Sequence, residues 1–220
     1  MSEIVLMSDP RVAAVSVREC GEPLVDVRSS GPLLVDMRKQ GDSDAFFHLR
    51  RGVLERLVRA QERLPDGLRF LVVEGYRPPA LQRRYFEKYA KRLRAERPGW
   101  SDEQVRSAAS RFVSPPDVAP HSAGAAVDLT LADADGRELD LGTPMNATPE
   151  ESAGACCTDA PGIGGQARAH REVLGRALTA AGLVNYPTEW WHWSFGDRYW
   201  ALLTGAASAR YGPIRPDADG

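Results

Sequence analysis

Long apolar runs are missing from this chain of 220 residues. No stretch of about 18 consecutive apolar residues occurs, which excludes a membrane-spanning helix from the sequence alone. The opening Met1-Ser2-Glu3-Ile4-Val5-Leu6-Met7-Ser8-Asp9-Pro10 has no basic head and no long apolar stretch. No signal peptide is therefore visible, and the expected location is the cytoplasm. Cysteine is scarce: Cys20, Cys156 and Cys157 are all there is. An odd count with one adjacent pair and no CxxC spacing is not a disulfide framework, in keeping with a reducing compartment. The Cys156-Cys157 pair is read as buried or partly buried thiols without a chemical role. Excess charge of one sign is also lacking, since the net charge is −2. No basic block stands clear of acidic neighbours, so neither nucleic acid nor membrane is expected as a partner. The run Lys91-Arg92-Leu93-Arg94-Ala95-Glu96-Arg97 reads as a solvated helix face.

What is present is ordinary globular material, 43% hydrophobic and 26% charged. The length suits one domain over residues 1–220 with a real core. Residues 1–32 look extended, and residues 213–220 look like a frayed tail. Val25-Asp26-Val27-Arg28 and Val35-Asp36-Met37-Arg38 echo one another as two short strands or edge segments. Phe46, Leu49, Val53, Leu57, Ala60 and Leu64 recur at helical steps, with Ser43 or Asp44 as cap and Pro65-Asp66-Gly67 as stop. Arg69 to Tyr76 reads as a buried strand. Helices are expected from about Ala80 to before Pro98, and from the capping-box sequence Ser101-Asp102-Glu103-Gln104 to about Arg111. Ala126 to Leu131 is a strand, closed by the turn Asp133-Ala134-Asp135-Gly136. Gly142 to Gly165 is a long loop of the kind that is usually functional or mobile. Gln166 to Ala181 is a helix closed by Gly182, and an aromatic strand around His192 follows.

Two stretches carry chemistry. Tyr186-Pro187-Thr188-Glu189-Trp190-Trp191-His192-Trp193-Ser194-Phe195 sets a carboxylate three residues before a histidine among tryptophans. Pro120-His121-Ser122-Ala123-Gly124-Ala125-Ala126-Val127-Asp128 sets a histidine seven residues before an aspartate. Together they offer His121, Asp128 and His192 as candidate zinc ligands, with Glu189 left over as a base. Three protein ligands and an open position are what a hydrolytic zinc site requires. Strand alternation puts Asp128 and Thr130 opposite Val127, Leu129 and Leu131, and His192 and Ser194 opposite Trp191, Trp193 and Phe195. Glu189 would then face the wrong way in a continuous strand, so it belongs in a loop after Pro187 that turns its carboxylate back. His48 and His170 lie on expected helices without a matching carboxylate and are read as satisfied. Trp190, Trp191 and Trp193 are read as core residues bracing the ligand strand, with Trp190 the one placed to line a pocket.

Glu74-Gly75-Tyr76-Arg77-Pro78, His121-x6-Asp128 and Glu189-x2-His192 resemble, in this order, the motif set of the VanX-type D-alanyl-D-alanine dipeptidases. That family sits among zinc D,D-peptidases sharing a fold with lysostaphin-type enzymes and the hedgehog signalling domain. The resemblance runs from about Leu33 to Tyr199. It implies an α+β fold in which a small antiparallel sheet, flanked by helices, carries the zinc site. It further implies one Zn²⁺ per chain on His121, Asp128 and His192, with Glu189 as catalytic base and Arg77 assisting the transition state. The expected substrate is a small dipeptide, D-alanyl-D-alanine.

The sequence departs from that pattern in two places. Ala119-Pro120 stand where the resemblance leads one to expect hydroxyl residues before the first histidine. Asn146 stands near where a carboxylate for the substrate ammonium is expected. Both differences bear on substrate preference. Two other readings remain: a D,D-carboxypeptidase acting on longer muropeptides, and a non-catalytic zinc-binding module of the same fold.

Overall fold

A computed structural model describes residues 4–29, 31–39 and 43–214. The tail expected beyond Pro213 therefore lies almost wholly outside the described residues. The fold is α+β, built on a five-stranded sheet. Its strands, in chain order, are β2 (Leu34–Val35), β4 (Arg69–Glu74), β5 (Ala126–Ala132), β6 (Val184–Asn185) and β7 (His192–Ser194). They lie in the order β2-β4-β5-β7-β6. Every pairing is antiparallel except that of the edge strand β2, which runs parallel to β4. A separate antiparallel pair joins β1 (Leu24–Asp26) to β3 (His48–Arg50).

Three differences from the sequence reading have physical causes. The helix expected to begin near Phe46 begins at Arg51 instead, as α2 (Arg51–Gln61). Ser43 does cap, but it caps a 3-10 turn at Asp44–Phe47, its side chain accepting from Ala45 N. The backbone beyond that turn is claimed from both sides. β3 pairs with β1, while Gly75 N and Tyr76 N donate to the carbonyls of Phe46 and His48. Those extended-chain bonds outweigh the helical spacing of Phe46 and Leu49, which are buried all the same. Near the N-terminus, α1 (Pro10–Ala14) is helical rather than extended. Asp9 caps it, Pro10 occupies its first turn, and Val12 is buried. Past the aromatic strand, α6 (Arg198–Thr204) is a further helix, started by Asp197 and closed by Gly205 at φ 69°.

The remaining helices sit close to where the sequence puts them. α3 spans Pro79–Glu96, α4 spans Asp102–Ala109, and α5 spans Gly165–Ala180. Ser101 and Gln104 close both halves of the capping box that starts α4. α5 packs with α2 and with β5, and a core of Leu129, Leu131, Leu174, Leu178, Trp191 and Trp193 fills the space between helices and sheet. α3 and α4 form their own apolar contact through Tyr89, Leu93, Val105 and Ala109. α3 and the segment 112–114 that follows α4 face a cavity of about 400 Å³ over the middle of the sheet. Among the described residues no helix is long and apolar enough to cross a membrane.

Candidate active site

Register builds the site. β4 pairs with β5 through a bulge between Val72 and Glu74, so that Glu74 lies opposite Asp128. On its other side Asp128 lies opposite His192. Directly paired residues on neighbouring strands present their side chains on one face, so Glu74, Asp128 and His192 form a row across three strands. His121 arrives from a 3-10 turn at Pro120–Ala123 that ends on Gly124 at φ 64°. Glycine suits that position twice over. The left-handed backbone strains other residues, and a Cβ there would meet Leu24 Cδ2 at 2.6 Å.

His121 Nε2, His192 Nδ1 and Asp128 Oδ1 form a triangle with edges of 3.1, 3.3 and 3.0 Å. All three residues are buried. Metal bonds of roughly 2.0–2.2 Å set tetrahedral ligand atoms about 3.3 Å apart, so the donor set fits a metal ion of zinc's size. His121 Nδ1 donates to Gly75 O at 2.7 Å. A carbonyl can only accept, so that nitrogen carries the proton and Nε2 offers its lone pair to the triangle. Burial lowers the His192 pKa against the pull of Asp128, favouring neutral imidazole. Burial alone would raise the Asp128 carboxyl, but the two imidazoles hold it well below the usual range.

Glu189 occupies the turn after Pro187, its N–H donating to Tyr186 O. Its Oε2 lies 3.9 Å from His192 Nδ1. Burial raises its carboxyl well above the ordinary value, and the Asp128 charge adds to the effect while Arg77 opposes it. Asn185 holds this hairpin by donating from Nδ2 to the carbonyls of Glu189 and His192.

Arg77 leaves β4 just before α3. Its Nε donates to Glu74 at 2.5 Å and its Nη1 to Gln82 at 2.7 Å. Two of its three nitrogens are thus engaged, and the side chain still lines the cavity. Glu74 is fully buried and also paired with Lys39. Burial would raise its pKa, but the two cations hold it at about 2. Glu74 and Gln82 went unassigned in the sequence reading, as did Lys39. Glu74 lies within the Glu74-Gly75-Tyr76-Arg77-Pro78 motif itself, where an acid three residues before an arginine is the available signal.

His121, Asp128, His192, Glu189 and Arg77 all line one cavity. His48 and His170 lie away from it, bonded to the carbonyls of Asp44 and Asp140. The tryptophan that lines the cavity is Trp191, not Trp190. Trp190 points the other way, donating to Thr143 Oγ1 and stacking under Arg171. Asn146 and Thr148 from the long loop line the cavity too. That loop is fastened across to α3, with Tyr89 donating to Glu150 at 2.7 Å and Arg92 pairing with Glu151 at 3.4 Å. None of the three cysteines lines the cavity.

Comparison with known proteins places this architecture in a class. The family model for D-ala-D-ala dipeptidase, Peptidase M15, matches residues 43–205, well over half of the chain and all five of those cavity residues. The chain is a peptidase. It belongs to the Peptidase M15 family of D-ala-D-ala dipeptidases. A D-alanyl-D-alanine dipeptidase of Synechocystis sp. is 29% identical, over 86% of this chain and 87% of that protein. One from Escherichia coli K12 is 36% identical over a shorter stretch, 33% of this chain and 35% of the other. Among solved structures, the LD-carboxypeptidase LdcB is similar at TM-score 0.48 and 16% identity, covering 86% of this chain and 78% of its own. The vancomycin-resistance D,D-pentapeptidase VanY gives TM-score 0.40 and 16% identity, with 74% and 80% covered.

Proposed function

We propose that this chain is a zinc-dependent dipeptidase whose substrate is D-alanyl-D-alanine, with one zinc ion per chain held by His121, Asp128 and His192. The observation that carries the reading is the ligand triangle with the buried Glu189 carboxylate beside it, in a cavity that Arg77 also lines. Membership of the family, and the name of the Synechocystis relative, support the choice of dipeptide.

When bound, zinc supplies a Lewis acid for the peptide carbonyl and brings the pKa of a water to about 7. Glu189 takes the proton of the attacking water and returns it to the leaving amine. Its burial keeps the carboxylate basic, and a cation held by His121, Asp128 and His192 would offset the Asp128 charge that otherwise favours its protonated form. Arg77, locked by Glu74 and Gln82, holds a fixed positive charge beside the oxygen that becomes negative, where preorganisation contributes most. The bonds from Tyr89 to Glu150 and from Arg92 to Glu151 tie the long loop down near the cavity, which favours a short peptide.

Hydrolysis of D-Ala-D-Ala, L-Ala-L-Ala and a pentapeptide ending in D-Ala-D-Ala by zinc-loaded protein tests the reading. The D,D-dipeptide should be cleaved fastest. Faster cleavage of the pentapeptide would make the chain a D,D-carboxypeptidase, and no cleavage of any would leave a non-catalytic module.

A further inference from the structure

The two imidazoles of the triangle differ at their far nitrogens. His121 Nδ1 has Gly75 O, whereas His192 Nε2 is buried and has no hydrogen-bond partner among the described residues. Alternation along β7 sets Ser194 on the same side as His192, and Ser194 is 1% exposed with its Oγ likewise unpartnered. Asp197 follows, 2% exposed. Its Oδ1 accepts from Tyr199 N and Trp200 N at the start of α6, while its Oδ2 is buried and unpartnered. Asp197 is close enough to His192 for their charges to interact. The Ser194 hydroxyl is within reach of the Asp197 carboxylate but closes no bond of ordinary length with it. A ring nitrogen, a hydroxyl and a carboxylate oxygen, all buried and all on residues 192–197, thus lack a hydrogen-bond partner among the described residues.

We infer that Asp197 and Ser194 are positioning residues for His192, joined to its Nε2–H through one buried water. The water accepts from Nε2–H and from the Ser194 hydroxyl and donates to Asp197 Oδ2. Three polar partners are what an internal water needs. A metal-binding histidine ordinarily passes its second N–H to a carboxylate, a carbonyl or water, which fixes its tautomer and raises its basicity. Here the relay keeps the proton on Nε2 and leaves the Nδ1 lone pair facing Asp128 and His121. The inference rests on the metal site proposed above.

Zinc affinity, measured by competition against a chromophoric chelator, tests it on wild type, Asp197→Asn and Ser194→Ala. Asparagine caps helices as well as aspartate does, so α6 keeps its start and the metal-free Tm should barely move. Asp197→Asn should bind zinc about 10- to 100-fold more weakly, and Ser194→Ala should weaken it in the same direction. The visible spectrum of the cobalt-substituted protein should shift in both variants, a change that a role confined to the α6 cap would not produce. Zinc affinities within about twofold of wild type and unshifted cobalt spectra in both variants would overturn the inference while leaving the metal site standing. If Asp197→Asn does not fold, Ser194→Ala alone decides, because it leaves the cap untouched. A wild-type protein that takes up no zinc would overturn the metal site and the relay together.

Discussion

At the scale of single residues, Arg77 and Glu189 face opposite demands. Arg77 is held by Glu74 and Gln82 and would be a structural residue if it did not also line the cavity. Lysine at that position keeps the charge beside buried Glu74 but lacks the fork that reaches both partners while lining the cavity. Arg77→Lys should therefore lower kcat far more than it lowers Tm, with KM moving less than kcat. A variant that melts early yet turns over normally when folded would return Arg77 to a structural role. Glu189, by contrast, is buried, with burial and the Asp128 charge raising its carboxyl and Arg77 opposing them. Glu189→Gln should retain zinc, by metal analysis, and lose hydrolysis by at least about 10²-fold. An active Glu189→Gln enzyme would mean that the base lies elsewhere.

At the scale of elements, the segment after β4 ties three parts of the fold to one glycine. Gly75 N donates to Phe46 O, and Gly75 O receives the His121 imidazole. A Cβ on Gly75 would stand 2.4 Å from the backbone oxygen of His48. Backbone cannot swing aside as the end of a side chain can, so the segment after β4 and the start of β3 would have to part. Gly75→Ala should cost about 1–3 kcal/mol of stability, the usual range for overpacking, read as a lower urea midpoint. Because the shift also moves the His121 acceptor, zinc affinity should fall with it. A Gly75→Ala protein of wild-type stability would show that residues 46–48 yield more readily than their bonding suggests.

At the scale of the whole molecule, ligand binding and pH act on the same buried row. Zinc that binds only the folded protein stabilises it by mass action. Adding zinc should raise the Tm of the metal-free wild type, and should leave His121→Ala, Asp128→Ala and His192→Ala near their metal-free values in differential scanning calorimetry. Equal shifts in all four proteins would place the ion elsewhere. Glu74 sets an acid limb. Its folded pKa, about 2, lies below its ordinary value of 4.5, so the unfolded chain binds its proton first. The stability it contributes is present in full above about pH 4.5 and is lost as pH falls from there toward about 2. Urea unfolding of metal-free protein should lose stability across that window, and Glu74→Gln should flatten that part of the profile. An unchanged slope would mean that Glu74 is not held ionised by Arg77 and Lys39.

The sequence by itself determined most helices and picked out five candidate residues that the fold brings to one cavity, because those signals are local. The capping box at Ser101 and the stop at Gly182 follow from what the next few residues can bond. The turn after Pro187 that carries Glu189 was legible because strand alternation left its carboxylate no other way back. What depended on distant partners was not legible. The extended backbone of 48–50, expected as helix, is decided by β1 and by Gly75, which lie far from it in sequence. The choice of Trp191 over Trp190 as the cavity wall turns on how residues 188–191 bend, which side-chain type does not reveal. Above all, the row of Glu74, Asp128 and His192 exists only through the pairing of three strands and one bulge. A register is a relation between segments, and a one-residue slip would send each of these side chains to the opposite face. Tertiary packing alone fixed it.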